Sequence, residues 1–175
     1  MMDYAVTEMD RQRLYGPHRL PDSGDTGVRI LRQVAEHPGD EGYNPLFLYG
    51  SGNTHLLRGA VNCILEGDPR RKVVHLTGEQ YVKGLIQAVR AGTERAFRDA
   101  LQDGVDVLVL EEVQHLAGKE RAQEVFFHLF DELYERGTQI ILTADRRPQE
   151  LRNMEERVIC QFSGGIQLEL QEKDL

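Results

Sequence analysis

Three short stretches carry side chains of the kind that handle phosphate or a metal ion. They are Gly50-Ser51-Gly52-Asn53-Thr54, the acidic pair Glu111-Glu112, and Thr143-Ala144-Asp145-Arg146-Arg147. A glycine turn between a strand and a helix can wrap backbone N–H groups around a phosphate. The working pattern is G-x-x-x-x-G-K-[ST], in which the lysine reaches the far phosphate oxygens and the hydroxyl meets Mg²⁺. Here Ser51 alone separates the glycines, and Asn53 stands where the lysine belongs. In a nucleoside triphosphatase an acidic pair after a strand holds magnesium and orients water, and a polar group after the next strand senses the terminal phosphate. Glu111 and Glu112 have the charge for this. The extra methylene of Glu111 relative to Asp, however, displaces its carboxylate in a site that demands near-ideal octahedral geometry. The other reading of such a pair is a solvated strand end, and the residues alone leave both open.

These groups act together only if a scaffold brings them to one edge. Leu46 to Tyr49 is an all-apolar run between Pro45 and Gly50, the pattern of a strand buried on both faces. From Thr54 the apolar positions Leu56, Leu57, Ala60, Val61 and Ile64 recur at helical spacing. Lys72 to Leu76 reads as a second strand, and Thr77 with Gln80 opens a helix carrying Val82, Leu85, Ile86 and Val89. A further helix holds Phe97 and Leu101. Val105 to Leu110 is the third strand, and a long helix runs from Ala122 through Leu133 towards Gly137. A strand at Gln139 to Thr143 follows, then short helices around Pro148 to Leu151 and Glu155 to Phe162, and a last strand at Ile166 to Leu170. Such alternation predicts an α/β fold, a five-stranded parallel sheet flanked by helices, with ligands at the carboxyl ends of the strands. Residues 1–22 read as an irregular leader and residues 23–175 as one domain. Asp22-Ser23-Gly24-Asp25 offers caps for the domain's first helix.

With 175 residues, 40% hydrophobic and 29% charged, the chain is long enough for one full core. A net charge of −8 excludes a surface coated in basic residues and confines any nucleic-acid contact to a local patch. No segment resembles a signal peptide, and no apolar run approaches the ~20 residues of a membrane span, so no membrane contact and a cytoplasmic location are expected. Cys63 and Cys160 lack metal-site spacing and are expected to be buried free thiols. His55, His75 and His128 show no spacing that suggests metal ligation or acid–base work. Packing is the expectation for His55 and His128.

From about Gly42 to Leu170 the sequence resembles the AAA+ ATPase domain of the bacterial chromosomal replication initiator family, DnaA. The resemblance rests on Asn44-Pro45-Leu46-Phe47-Leu48-Tyr49-Gly50, Thr54-His55-Leu56-Leu57, the run from Ala117 to His128, and the run from Ile141 to Leu151. Gly16-Pro17 resembles the family's lead-in to the adenine side of the pocket, with Arg19 where an asparagine is usual. The resemblance implies a P-loop NTPase, three-layer sandwich. It also implies ATP or ADP with Mg²⁺ as the ligand, a phosphate loop at Gly50, Ser51, Gly52, Asn53 and Thr54, a metal and water site at Glu111 and Glu112, and Asp145 in the phosphate-sensing region. If magnesium bound, Thr54 and Glu111 would hold it. The family's finger helix matches Glu155 to Phe162, where Arg157 is kept and the arginine that reaches a neighbouring subunit is Gln161. The chain ends at Leu175, so the helical lid and the DNA-recognising domain of the family are expected to be absent.

Because Asn53, the short loop, Glu111 and Gln161 each depart from the ATP site, no turnover, no resident metal and at most weak nucleotide binding are expected. A charge-assisted hydrogen bond is worth about 1.5–3 kcal/mol, and an arginine finger on the order of 10³–10⁵ in rate. In the family, positions matching Ile86 and Arg121 line a channel for single-stranded DNA, and Arg90, Arg95 and Arg98 lie close enough in sequence to form a basic strip. Against this, Ile86 fits the core stripe of its helix, and Glu94 and Asp99 alternate with the arginines as on a solvated face. Three readings follow: a non-catalytic module that binds DnaA or another AAA+ replication protein, with single-stranded DNA as a further partner; a nucleotide-binding subunit of a mixed ring; and a decayed paralogue with no selected activity.

Overall fold

The computed structural model describes residues 3–7, 10, 11, 15, 18–51 and 53–171, Asn53 by its backbone alone. Among these, helix α1 (Thr26–Glu36) precedes β1 (Leu46–Gly50) and α2 (Asn53–Gly67). Strand β2 (Val73–Thr77) leads into α3 (Gly78–Ala91) and α4 (Glu94–Gln102), and β3 (Val107–Glu111) into α5 (Glu120–Glu135). Strand β4 (Gln139–Ala144), α6 (Glu156–Phe162) and β5 (Ile166–Leu170) complete the domain. The five strands form one parallel sheet in the order β2-β3-β4-β1-β5. No described helix is long and apolar enough to cross a membrane.

Two cores, one on each face of the sheet, make three layers. On one face Leu46, Leu48, Val107, Val109 and Ile141 pack against Leu31 of α1 and Leu57 of α2. On the other, Phe47, Leu108, Leu110 and Leu142 pack against α3 to α6. Neighbours along a strand alternate between these cores, as the period of two requires. A chain of aromatic rings, Phe47, Phe162, Phe126 and Tyr81, knits the second core with centroid separations of 5.6, 5.6 and 6.4 Å.

The predicted caps are present. Asp25 accepts from the N–H of Gly27 and Val28, and Thr77 and Gln80 form a reciprocal capping box. Strand β3 begins at Val107 rather than Val105, because Asp106 is occupied with Lys72: its carboxylate accepts the Lys72 N–H at 2.8 Å. The segment near Pro148 is a single 3-10 turn, and Val113–Leu116 adds another that the sequence did not suggest. Cys63 is half-buried and Cys160 is exposed, so burial fails for the second thiol; α6 turns it outward, with Val158 and Phe162 facing the core.

Described residues of the leader are bound to the sheet. Val6 N–H donates to Val73 O at 2.8 Å and His75 N–H to Tyr4 O at 3.0 Å, so residues 4–6 cover the open edge of β2. Tyr15 is buried in the core shared with α1 and α2. The buried Asn62 carboxamide donates to Tyr15 O at 2.6 Å and His18 O at 2.8 Å. Gly59 lets the leader backbone run against α2, since a Cβ there would lie 2.8 Å from Arg19 C and Leu20 N.

Gly78 is similarly constrained at the start of α3, where a Cβ would lie 2.5 Å from the Glu112 carbonyl oxygen. Gly78→Ala must shift backbone against backbone, and is expected to destabilise the domain by about 1–3 kcal/mol. Urea denaturation would show a lower midpoint with unchanged slope.

Candidate functional site

The ends of β3, β4 and β1 lie side by side, which brings Glu111, Asp145 and Gly50 to one rim of the sheet. Gly50 is in the left-handed region at φ +99°, and a Cβ there would meet Leu170 O of β5 at 2.5 Å. That close approach, rather than a phosphate, suffices to require glycine. Ser51 and Thr54 are exposed at the start of α2; Gly52 and the side chain of Asn53, like Gly16 and Pro17, lie outside the described residues.

Glu111 is not a free end-of-strand carboxylate. Its Oε2 is 2.7 Å from His75 Nε2, and the Tyr15 hydroxyl is hydrogen-bonded to Nδ1 of the same ring. The three residues come from β3, β2 and the leader. His75 pairs in register with Val109 and Thr77 with Glu111, so His75 and Glu111 sit on the same face of adjacent strands. The His75 and Glu111 side chains are only 12% and 20% exposed. Burial, and then the Glu111 carboxylate, push the Tyr15 phenol far above its usual value. Sequence reasoning passed over this set. The available signal was a histidine inside an apolar strand, two positions before that strand's end as Val109 is before Glu111.

Glu112 adopts φ +57° and is exposed; its N–H donates to the buried Thr143 hydroxyl at 3.0 Å. Thr143 thereby joins β4 to the turn after β3. Asp145 is clasped by its neighbour, with Arg146 Nε and Nη2 2.9 and 3.0 Å from its two oxygens, which holds its carboxyl below the ordinary range. Arg157 is folded onto its own chain: Nε donates to Glu155 at 2.7 Å and the guanidinium lies 4.3 Å over the Phe127 ring. Gln161 donates to Phe127 O at 2.8 Å and to Asp131 at 3.2 Å, tying α6 to α5.

A magnesium nucleotide needs free oxygen ligands and a cation at the phosphates. One Glu111 oxygen is bonded to His75, both Asp145 oxygens to Arg146, and residue 53 is asparagine. Each of these oxygens is thus already engaged within the chain. Among the described residues no group of three or more His, Cys, Asp or Glu could hold a metal ion.

On the other face, Ile86 of α3 and Arg121 of α5 line one groove of about 370 Å³ with Val82, Leu85, Val89 and Arg90. The core stripe of α3 consists of Tyr81, Leu85 and Ala88, whereas Ile86 and Val89 are 45% and 49% exposed. Assignment of Ile86 to the core is therefore corrected: a run of four apolar positions is wider than the surface its helix can bury. Arg121 is paired with Glu94 and, at 3.0 Å, with Glu124. The expected basic strip divides, for Arg95 and Arg98 line a separate cleft with Asp99, His128 and Glu132. His55 and His128 are exposed rather than packed, and His55 Nδ1 lies 3.0 Å from His18 Nδ1.

Residues 22–169 match the family model described as the bacterial DnaA ATPase domain. The chain belongs to the DnaA family. It is similar to domain III of the Thermotoga maritima replication initiation protein DnaA, with 34% identity and a TM-score of 0.78 over 84% of this chain and 63% of that one. AMPPCP-bound DnaA from Aquifex aeolicus shares 36% identity at a TM-score of 0.77, over 84% of this chain and 47% of that one. A replication initiator DnaA bound to AMPPCP and single-stranded DNA shares 34% at a TM-score of 0.80, over 90% and 49%. The chain thus spans between about half and two thirds of these relatives, and it is a DnaA-type AAA+ domain related to replication initiators.

Tyr15 and Tyr81, whose phenols burial raises far above 10.0, give a pH test of this geometry. Unfolding frees them to ionise, so their contribution to stability is complete below pH 10 and is lost as pH rises above it. Absorbance at 295 nm is expected to show these two of the six tyrosines ionising only with alkaline unfolding. Tyr15→Phe should flatten the loss of stability between pH 9 and 11.

Proposed function

We propose that this DnaA-type domain works in replication initiation by contact rather than by ATP turnover, and that its partner is DnaA or another AAA+ replication protein. The observation that carries this reading is the contrast between its two sites. At the rim of the sheet Glu111 and Asp145, and on α6 Arg157 and Gln161, are each bonded within the chain. Between α3 and α5, an apolar groove stands open with Ile86 and Val89 exposed. Buried apolar surface supplies most of the energy of association, and exposed apolar residues grouped beside charged ones mark contact surfaces. Gln161 cannot supply a finger to a neighbour's nucleotide, so contact with an active AAA+ subunit would modulate that subunit without completing its site.

A second reading rests on the juxtaposition of Ile86 and Arg121, because a similar DnaA is bound to single-stranded DNA. The groove has Arg90 and Lys119 at its rim but no aromatic ring for bases to stack on, and Arg121 is already neutralised by two glutamates. Both features weaken DNA affinity relative to a protein contact.

Retention of purified DnaA on the immobilised chain is expected with and without ATP, and Ile86→Glu is expected to weaken it at least about tenfold, or ~1.4 kcal/mol. Calorimetry with Mg-ATP is expected to give no micromolar binding. ATP binding at that level, lost when Glu111 and Glu112 become Gln, would instead establish the mixed-ring nucleotide-binding subunit. Fluorescence anisotropy with labelled single-stranded DNA checks the second reading: salt-sensitive binding reduced by Arg90→Glu would favour it.

A further inference from the structure

We infer that Tyr15, His75 and Glu111 form a clasp that docks the leader on the sheet without a nucleotide, with His75 as its positioning residue. The inference deepens the proposal that the rim is not an ATP site, but it stands on separate contacts.

His75 is reached by the leader twice. Its main-chain N–H donates to Tyr4 O at 3.0 Å, and its ring Nδ1 meets the Tyr15 hydroxyl. The other ring nitrogen meets Glu111 Oε2 at 2.7 Å. One arrangement of protons on a neutral ring satisfies both contacts. The Tyr15 O–H donates to Nδ1, and Nε2–H donates to the carboxylate, which accepts only. An ionised Glu111 thus fixes the tautomer of His75, and that tautomer presents an acceptor to Tyr15. Tyr15 stays protonated because burial and the nearby carboxylate both oppose its ionisation.

Other described residues of the leader are placed so that this contact can form. Asn62 holds the Tyr15 and His18 carbonyls, and Gly59 removes the side chain that would keep the Arg19–Leu20 backbone off α2. Val6 N–H closes on Val73 O at 2.8 Å one step along the strand. The carboxylate at the position expected to meet a metal is therefore spent on a protein–protein bond linking three segments. A divalent cation drawing on the same Glu111 oxygen would compete with His75, and so with leader docking.

Hydrogen–deuterium exchange on the whole chain tests the clasp. Tyr15→Phe keeps the buried ring and removes only the hydroxyl, and Glu111→Gln keeps the shape and removes the charge. Both are expected to speed exchange of the Val6 and His75 amides, which join leader to β2, by about tenfold, with α5 amides unchanged. Protection of these amides in the wild-type chain is expected to be the same with and without Mg-ATP. Wild-type exchange in both variants would overturn the clasp, as would protection that appears only with Mg-ATP. A variant that exchanges faster everywhere has lost the fold, and the Ile86→Glu chain then serves as a comparison with an altered surface and an intact clasp. If that chain loses DnaA while its leader amides stay protected, the two sites are independent. If wild type fails to retain DnaA while Tyr15→Phe opens the leader, the contact reading fails and the clasp stands.

Discussion

The structure turns on the parity of the parallel sheet. A side chain in a buried strand faces one of two cores, and the β2–β3 register decides which residues share a face. Because Thr77 stands opposite Glu111, His75 lies on the Glu111 face, the side occupied by α1, α2 and the leader. A slip of one residue would put His75 among the leucines of the other core and leave Glu111 without its partner. The same parity places the groove of Ile86 and Arg121 on the opposite layer, since α3 and α5 pack on the other face. The rim and the groove therefore belong to different cores, and a change in one need not disturb the other.

The scaffold was legible because its signals are local and periodic. All five strands fall within about two residues of the apolar runs that suggested them, and the Thr77–Gln80 capping box forms as its spacing required. Departures occurred where a side chain takes backbone groups out of a ladder, as Asp106 does with Lys72, or where a helix has more apolar residues than the core accepts, as α3 does at Ile86 and Val89. Periodicity identifies which residues can be buried. It does not say how much surface the opposing layer covers.

The site was less legible, for a related reason. Glu111, Asp145, Arg157 and Gln161 could be located from sequence, yet their partners are set by lateral contacts between distant segments or by local turns: His75 across a strand pair, Phe127 across a helix pair, Arg146 next door. A motif comparison reads what a position has lost relative to a working site. It is silent about what the remaining side chain then bonds to. Tyr15 is the clearest case, a buried anchor in a leader whose sequence gives no helical or strand period.

Those lateral bonds bear on why such a rim persists in a stable domain. A carboxylate at the end of a buried strand is costly when it is partly desolvated and unpaired, and it must find a cation, a donor or water. In a site built for a metal nucleotide the ligand provides that partner. Here His75 provides it for the half-buried Glu111 and Arg146 for the exposed Asp145. Each internal bond must be broken or shared before the same oxygen can serve a ligand. The more completely a site is satisfied from within, the more ligand binding must be offset against contacts already made.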